Sequence, residues 1–162
     1  MEYKIIQRKE MKLVGVIYHT TMQTAEGIPG LWDKEFIPRA REIKHVVNQN
    51  CYGLELYPDN FMETKQFTYM AAFEVSKIED VPFNMFGVTL PAATYAVFTI
   101  KGKLDPKKIM ETFQKIYHEW LPASGYDMPY PYDFEFYDDE NKRFKPDQDD
   151  SELDIYLPVI EK

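Results

Sequence analysis

Residues 93–120 read ATYAVFTIKGKLDPKKIMETFQKIYHEW, and this stretch decides the fold. Its first part alternates between the two sides of an extended chain, with Tyr95 and Val97 on one side and Phe98 on the other. This alternation predicts a β-strand. Gly102 then marks a turn, so the strand ends where the pattern of apolar residues changes.

The second part of the stretch predicts an amphipathic helix. Ile109, Phe113 and Trp120 belong to an apolar stripe whose members are three or four residues apart. Asp105 is a favourable N-cap, and Pro106 suits the first position of a helix. The helix should therefore begin near Asp105 and end soon after Trp120.

The flanking segments repeat this order of elements. Alternation predicts a strand over residues 3–20, and apolar spacing predicts a helix from Trp32 to Val47 with a kink or a new start near Pro38. Further strands are expected at residues 51–57, 66–77, 132–138 and 153–159.

The order strand–helix–strand–strand thus occurs twice in a single domain of residues 1–162, in pseudo-repeats near 1–80 and 90–162 that a linker at 82–87 separates. We expect an α+β fold in which the duplicated units form an antiparallel sheet with the helices on one face. A ligand cleft should lie between the units, open on the face that carries no helices.

Composition narrows the class of protein. The 162 residues suffice for one well-buried domain, and the lone Cys51 cannot form an internal disulfide. No apolar run approaches the roughly 20 residues of a membrane span, and the first residues lack the order of a signal peptide. The expected location is the cytoplasm.

Charge is uneven along the chain. Residues 1–126 are neutral, whereas residues 127–162 contain 12 acids and 4 bases and carry the whole net charge of −8. No basic face is available for phosphate groups, so we expect neither direct nucleic-acid binding nor membrane docking.

Aromatic residues are abundant, with 12 Tyr, 11 Phe and 2 Trp. Such residues fill a core, or they line a pocket for flat, apolar or cationic ligands. The three histidines and Cys51 lack metal-ligand spacing, and the chain has neither a G-x-S-x-G elbow nor a Gly-rich phosphate loop. We therefore expect no metal and no cofactor.

Five stretches in order carry a family resemblance. They are FTYMAAFEV at 67–75, LPAATYAVF at 90–98, IYHEWLPASGY at 116–126, DFEFYD at 133–138 and DIYLPV at 154–159. From about residue 3 to residue 160 the chain resembles the GyrI-like, or AraC-type effector-binding, domain. The resemblance implies the duplicated fold and multidrug binding, that is, capture of drug-like, often cationic aromatic molecules.

The resemblance also implies site residues. The family's key acid corresponds to Glu135, with Tyr137 beside it and Trp120 in the pocket wall. The chain departs from the family at Ala72, where glycine is frequent, and in the acidic insert at 139–150, whose role does not transfer.

Strand alternation supports Glu135 independently. Asp133, Glu135 and Tyr137 share one side of their strand, and the neighbouring phenylalanines share the other. The phenylalanines should pack on the helices, so the acid should face the cleft, where partial desolvation raises its pKa. The alternative is a solvated acid on an edge strand.

The other ligand-binding candidates are aromatic residues of predicted strands. For each of them, as for Trp120, the alternative to contact with a ligand is packing in the hydrophobic core. They are Tyr69, Tyr95, Tyr156, Tyr18 and Phe73.

Three functions follow from the resemblance. The first is stand-alone binding of a hydrophobic, cationic small molecule, related to transcription regulators. The second is a hydrolase of cyclopropanoid or other electrophilic DNA-alkylating toxins, with Glu135, Trp120 and Tyr137 as catalytic candidates. The third is a gyrase-inhibitor-like interaction module with a regulator or gyrase as partner. The sequence does not separate a monomer from a homodimer.

Overall fold

The computed structural model describes all 162 residues and contains nine strands. They are β1 (Lys4–Arg8), β2 (Met11–Thr21), β3 (Val46–Leu56), β4 (Gln66–Val75), β5 (Phe86–Leu90), β6 (Ala93–Lys101), β7 (Tyr126–Asp127), β8 (Tyr132–Tyr137) and β9 (Glu152–Glu161).

Two irregular helical segments and one short helix accompany the strands. The segment α1 spans 25–42 and α3 spans 106–123, while α2 is the single turn Phe61–Thr64. Both long segments contain a π-helical stretch, Leu31–Phe36 in α1 and Ile116–Trp120 in α3. None of the helices has the length and apolar character that crossing a membrane requires.

All strand pairs are antiparallel, in the order β1-β6-β9-β8-β3-β4-β2-β5, with β7 paired to the end of β9. The first unit is β2-α1-β3-β4 and the second is β6-α3-β8-β9. The units meet where β3 pairs with β8. Each unit also receives an edge strand from the chain that precedes the other unit, because β1 pairs with β6 and β5 pairs with β2. The duplicated α+β fold is confirmed, and its sheet is curled into a half-barrel.

The two faces of the curled sheet have different cores. Strand residues alone fill the helix-free face, where Leu54, Tyr95, Phe134 and Tyr156 belong to one cluster. On the other face α1 packs over the first unit and α3 over the second, which produces two separate clusters. Curling brings the helix-free face against itself, so that face buries large rings without any helix.

This arrangement corrects the prediction for the open face. The alternation in β8 is as expected, but Phe134 lies in the strand-only cluster, whereas Tyr137 packs with residues under the helices. Glu135 bonds to Tyr69, which belongs to the cluster under α1. The acid side of β8 therefore lies on the helix-bearing face, between α1 and α3. The prediction that the cleft opens away from the helices is wrong because the curled sheet itself fills that side.

The first helical segment ends earlier than the sequence predicted. The helical backbone stops at Glu42, Ile43 is extended, and Val47 lies in β3 with 47% of its surface exposed. Val46 and Val47 are β-branched, and such residues favour strands. The predicted linker at 82–87 overlaps β5, which was not predicted, and α2 and β7 were also missed.

The turn into α3 is as predicted. Asp105 is the N-cap, its carboxylate accepts a hydrogen bond from the backbone N–H of Lys107 at 3.0 Å, and Pro106 begins the helix. This cap depends only on neighbouring residues, so the local sequence suffices to predict it.

Candidate functional site

The candidate site lies on the helix-bearing face, where β3 and β8 join the two units. Glu135 projects from β8 and is only 6% exposed. The Tyr69 hydroxyl donates to its Oε1 at 2.8 Å, and the Tyr137 hydroxyl donates to its Oε2 at 2.9 Å. Both carboxyl oxygens of Glu135 therefore have partners, and neither partner carries a charge.

A glycine provides the space for this arrangement. Gly53 pairs with Glu135 across the two strands. A Cβ at Gly53 would lie 2.1 Å from the Tyr69 hydroxyl oxygen and 2.7 Å from Oε1 of Glu135. The hydrogen bond between Tyr69 and Glu135 thus occupies the volume that any other residue at position 53 would fill.

Trp32 covers the site from α1. Its Nε1 donates to the Tyr69 hydroxyl at 3.0 Å, and its ring meets the edges of Tyr137 and Phe36 with centroid distances of 5.4 and 5.1 Å. Trp32 lies in the π-helical stretch of α1. Such stretches are rare in helices and frequent at functional sites.

A pair of acids, Glu55 and Asp133, adjoins Glu135. Glu55 of β3 pairs with Asp133 of β8, two residues along from Gly53 and Glu135 on the same side of the strands. The Tyr57 hydroxyl lies 2.6 Å from Oε2 of Glu55 and 2.9 Å from Oδ2 of Asp133. Tyr117, in the π-helical stretch of α3, donates to the same Oδ2.

The electrostatics of the site oppose ionisation. Burial raises the pKa of Glu55 well above its ordinary value, and the neighbouring acids Asp133 and Glu135 raise it further. Burial is also the main cause of the raised pKa of Asp133 and of Glu135, although tyrosine hydroxyls that donate to these carboxylates oppose the shift. No Lys, Arg or His nitrogen lies within 4.0 Å of the three carboxyl groups.

A cavity of about 690 Å³ lies at one end of the sheet. Thr20, Thr21, Thr24 and Tyr57 are among the residues that line it, and none of the three acids is. Tyr57 also contacts Glu55 and Asp133, so its side chain links the lining of the cavity to the acid pair.

The structure brings several of the sequence candidates together. Glu135, Tyr69 and Tyr137 form one hydrogen-bonded group. Tyr18 lies directly opposite Tyr69 across β2 and β4, and Phe73 packs edge-on against Phe36 under α1. Tyr18 and Phe73 therefore lie on the same face as the acid.

Two candidates lie on the opposite face. Tyr95 and Tyr156 belong to the strand-only cluster, where they contact other residues of that cluster. The Tyr95 hydroxyl is 2.8 Å from that of Tyr132, and the Tyr156 ring stacks on Phe134 with centroids 4.7 Å apart. The sheet separates them from Glu135.

Trp120 belongs to another aromatic group. Its ring packs against Tyr3, Phe98 and Tyr126 at the outer side of the second unit. None of its ring contacts reaches Glu135. The tryptophan that covers the acid is Trp32, which the sequence had placed only in a helical stripe.

Five residues of the site were missed as site residues, namely Trp32, Glu55, Tyr57, Tyr117 and Asp133. Glu55 and Tyr57 follow Gly53 at intervals of two in the predicted strand, so their shared side was detectable. Their position opposite Asp133 depends on the register between β3 and β8, and that register pairs residues about 80 positions apart.

A curled, duplicated sheet with a buried, unneutralised carboxyl group under aromatic rings defines a small-molecule-binding domain. The family comparison agrees, because the model of the GyrI-like small molecule binding domain matches residues 1–160. The chain belongs to this family.

Three known proteins are similar to this chain in sequence or in structure. The transcriptional regulator BrlR of Pseudomonas aeruginosa is 36% identical over 98% of this chain, which spans only 56% of BrlR. A structure of SAV2435 bound to tetraphenylphosphonium has a TM-score of 0.78 at 20% identity, covering 99% of this chain and 94% of that one. EcmrR in an EcmrR–DNA complex has a TM-score of 0.69 at 14% identity, covering 99% of this chain and 58% of that one.

Proposed function

We propose that this domain binds hydrophobic organic cations, with Glu135 as their counter-charge. The observation that carries the proposal is the burial of Glu135 among Tyr69, Tyr137 and Trp32 without any basic partner. A buried carboxylate without a cation is costly, so natural proteins pair such groups. A cationic ligand would supply the missing charge.

The surroundings of Glu135 favour an organic cation over a strongly hydrated one. Aromatic faces attract cations, and the attraction is largest when water is excluded. A cation whose charge is shielded by apolar groups loses little hydration on burial, and the tyrosine and tryptophan rings contribute apolar contact area. The tetraphenylphosphonium complex of SAV2435, which shares the fold, supports this ligand class.

Ligand access requires the helices to move. Trp32 on α1 donates to Tyr69, the partner of Glu135, and Tyr117 on α3 donates to Asp133; both lie in π-helical stretches. We propose that displacement of these two side chains opens the site. The transcriptional regulators BrlR and EcmrR share the fold. We therefore propose that this movement of the helices is the signal by which a regulatory partner detects that a ligand has bound.

The family comparison favours binding over hydrolysis, because the matching model is that of a small molecule binding domain. Hydrolysis of electrophilic toxins with Glu135 as the acid or base stays a prediction. The gyrase-type interaction stays a prediction from the acidic end of the chain.

Calorimetric titration with tetraphenylphosphonium tests the proposal. Glu135→Gln keeps the shape of the side chain and removes its charge, and we expect at least a tenfold weaker affinity, about 1.4 kcal/mol. Tetraphenylborate, which has the same shape and the opposite charge, should bind the native domain more weakly than tetraphenylphosphonium does. In Glu135→Gln the two affinities should become similar. Glu119→Gln removes an exposed acid of α3 and serves as the matched control.

Equal tetraphenylphosphonium affinity in the native domain and in Glu135→Gln would refute the role of Glu135. Absence of binding to the native domain would refute the proposed ligand class.

A further inference from the structure

We propose that Glu55 and Asp133 form a second cation subsite that holds one proton when no ligand is bound, so that the preferred ligands carry two positive centres. The proposal rests on the proposed function, because the first positive centre occupies Glu135. It adds that entry of the second centre expels the stored proton.

The stored proton follows from hydrogen-bond geometry. The Tyr57 hydroxyl is within hydrogen-bond distance of both Glu55 and Asp133, but it has a single proton to donate. Tyr117 uses its own proton toward Oδ2 of Asp133. The contacts balance when Glu55 holds a proton and donates it to Asp133, while Tyr57 donates its own proton to the pair.

No other group of the surroundings neutralises the pair. The titratable groups that face it are Glu135 from β8, Tyr57 at the end of β3 and Tyr117 from α3, and none of them can carry a positive charge. A single negative charge therefore lies on the pair, and the raised pKa of both acids agrees with that protonation state. A cation beside the pair would favour loss of the proton.

Asp133 provides the acceptor for such a cation. The residue is fully buried, and its Oδ1 has no partner among the neighbouring hydroxyl and N–H donors, although Oδ2 accepts from two tyrosines. Buried polar atoms without partners are rare in native proteins, and a missing water or ion is one explanation for them. Oδ1 is therefore the atom toward which we direct the second positive centre.

The spacing of the subsites specifies the ligand. Glu55 and Asp133 lie two residues along their strands from Gly53 and Glu135, on the same side of the sheet. Two residues of a strand span about 7 Å, so the two positive centres of the ligand should be about that far apart.

Aromatic rings favour an organic ligand at the second subsite as well. Tyr57 contacts the rings of Phe61, Phe67 and Tyr117, and the cavity beyond Tyr57 offers room for a longer ligand. No group of three or more His, Cys, Asp or Glu side chains is placed to hold a metal ion.

Two flat probes test the inference. Methyl viologen has two positive nitrogens at opposite ends of a pair of linked rings, and 1-methyl-4-phenylpyridinium has nearly the same shape with one. Calorimetry in two buffers of different ionisation enthalpy gives the number of protons released on binding. At slightly acidic to neutral pH we expect methyl viologen to release about one proton more than the monocation and to bind at least tenfold more tightly.

Glu55→Gln keeps the side chain neutral at every pH, and Glu119→Gln is its matched control. In Glu55→Gln the extra proton release should disappear, and the ratio of dication affinity to monocation affinity should fall toward one. The proton count in the native protein tests the inference even if a variant fails to fold.

The outcomes separate this inference from the proposed function. One outcome is that monocation binding depends on Glu135 but both probes release the same number of protons. This result overturns the second subsite and leaves the proposed function intact. No binding of either probe, or of tetraphenylphosphonium, overturns both. Proton release by Mg²⁺ or Ca²⁺, with competition against methyl viologen, overturns the organic character of the subsite.

Discussion

Gly53 and Glu135 face each other across β3 and β8, and the missing side chain of one makes room for the carboxylate of the other. A Cβ on Gly53 would lie 2.7 Å from Oε1 of Glu135, well inside van der Waals contact. The glycine belongs to the first unit and the acid to the second, so the site depends on both pseudo-repeats. A substitution at Gly53 should therefore affect both ligand binding and the pairing of the two units.

Gly53→Ala should disrupt the site. The added methyl group would displace the Tyr69 hydroxyl or the Glu135 carboxylate, and overpacking of this kind costs about 1–3 kcal/mol. We expect a lower free energy of unfolding in urea and weaker tetraphenylphosphonium binding. Gly125→Ala is the control, because no atom lies within 4 Å of its added Cβ. Native-like binding by Gly53→Ala would contradict the importance of the space at position 53.

Tyr69→Phe should make Glu135 a weaker acid. The variant removes the hydroxyl that donates to Oε1 and accepts from Trp32. Since this hydrogen bond lowers the pKa of Glu135, its loss should raise that pKa further. Cation binding at neutral pH should weaken, and the pH midpoint of binding should rise. Tyr95→Phe removes a hydroxyl on the opposite face and should leave that midpoint unchanged; an equal shift in both variants would contradict the account.

The stability of the ligand-free protein should fall as pH rises. Glu55, Asp133 and Glu135 have raised pKa values in the folded state, against ordinary values of 4.5 for Glu and 3.8 for Asp. Between the ordinary and the raised values the folded state binds more protons than the unfolded state, so the free energy of unfolding decreases with pH. We expect a lower urea midpoint near pH 8 than near pH 5.5.

Glu55→Gln should flatten this pH dependence, because the amide does not titrate. Glu119→Gln removes one negative charge from an exposed position of α3 and controls for net charge. An unchanged pH dependence in Glu55→Gln would show that Glu55 does not store the proton.

Arg8 should stabilise the half-barrel without affecting the site. Its guanidinium lies 5.4–5.9 Å from the centroids of four rings on the helix-free face and donates to the Tyr52 hydroxyl at 3.2 Å. It also approaches Glu74 of β4 from β1, so it links the two units. Arg8→Met should lower the free energy of unfolding by about 1–3 kcal/mol and leave tetraphenylphosphonium affinity unchanged. Lys9→Met, at the adjacent exposed position, should change neither.

The sequence predicts those features that depend on neighbouring residues. The alternation of β6 and the cap at Asp105 are local, and both appear in the structure where the sequence places them. Glu135 was proposed from the side of its strand and from the family resemblance, and the structure buries it among aromatic rings.

The features that the sequence did not predict depend on contacts between distant segments. Strand alternation defines two sides of β8 but not which side faces the helices, because that choice depends on how the whole sheet curls. The same limit applies to the two tryptophans, since both lie in apolar helical stripes and only the packing places Trp32 over the acid.

A crystal structure of the domain with tetraphenylphosphonium tests the central claim most directly. We expect the phosphonium centre beside the carboxylate of Glu135, with the Trp32 ring displaced from Tyr69 and packed against a phenyl group of the ligand. Ligand bound only in the threonine-lined cavity or on the helix-free face, with the contacts among Trp32, Tyr69 and Glu135 intact, would contradict the claim.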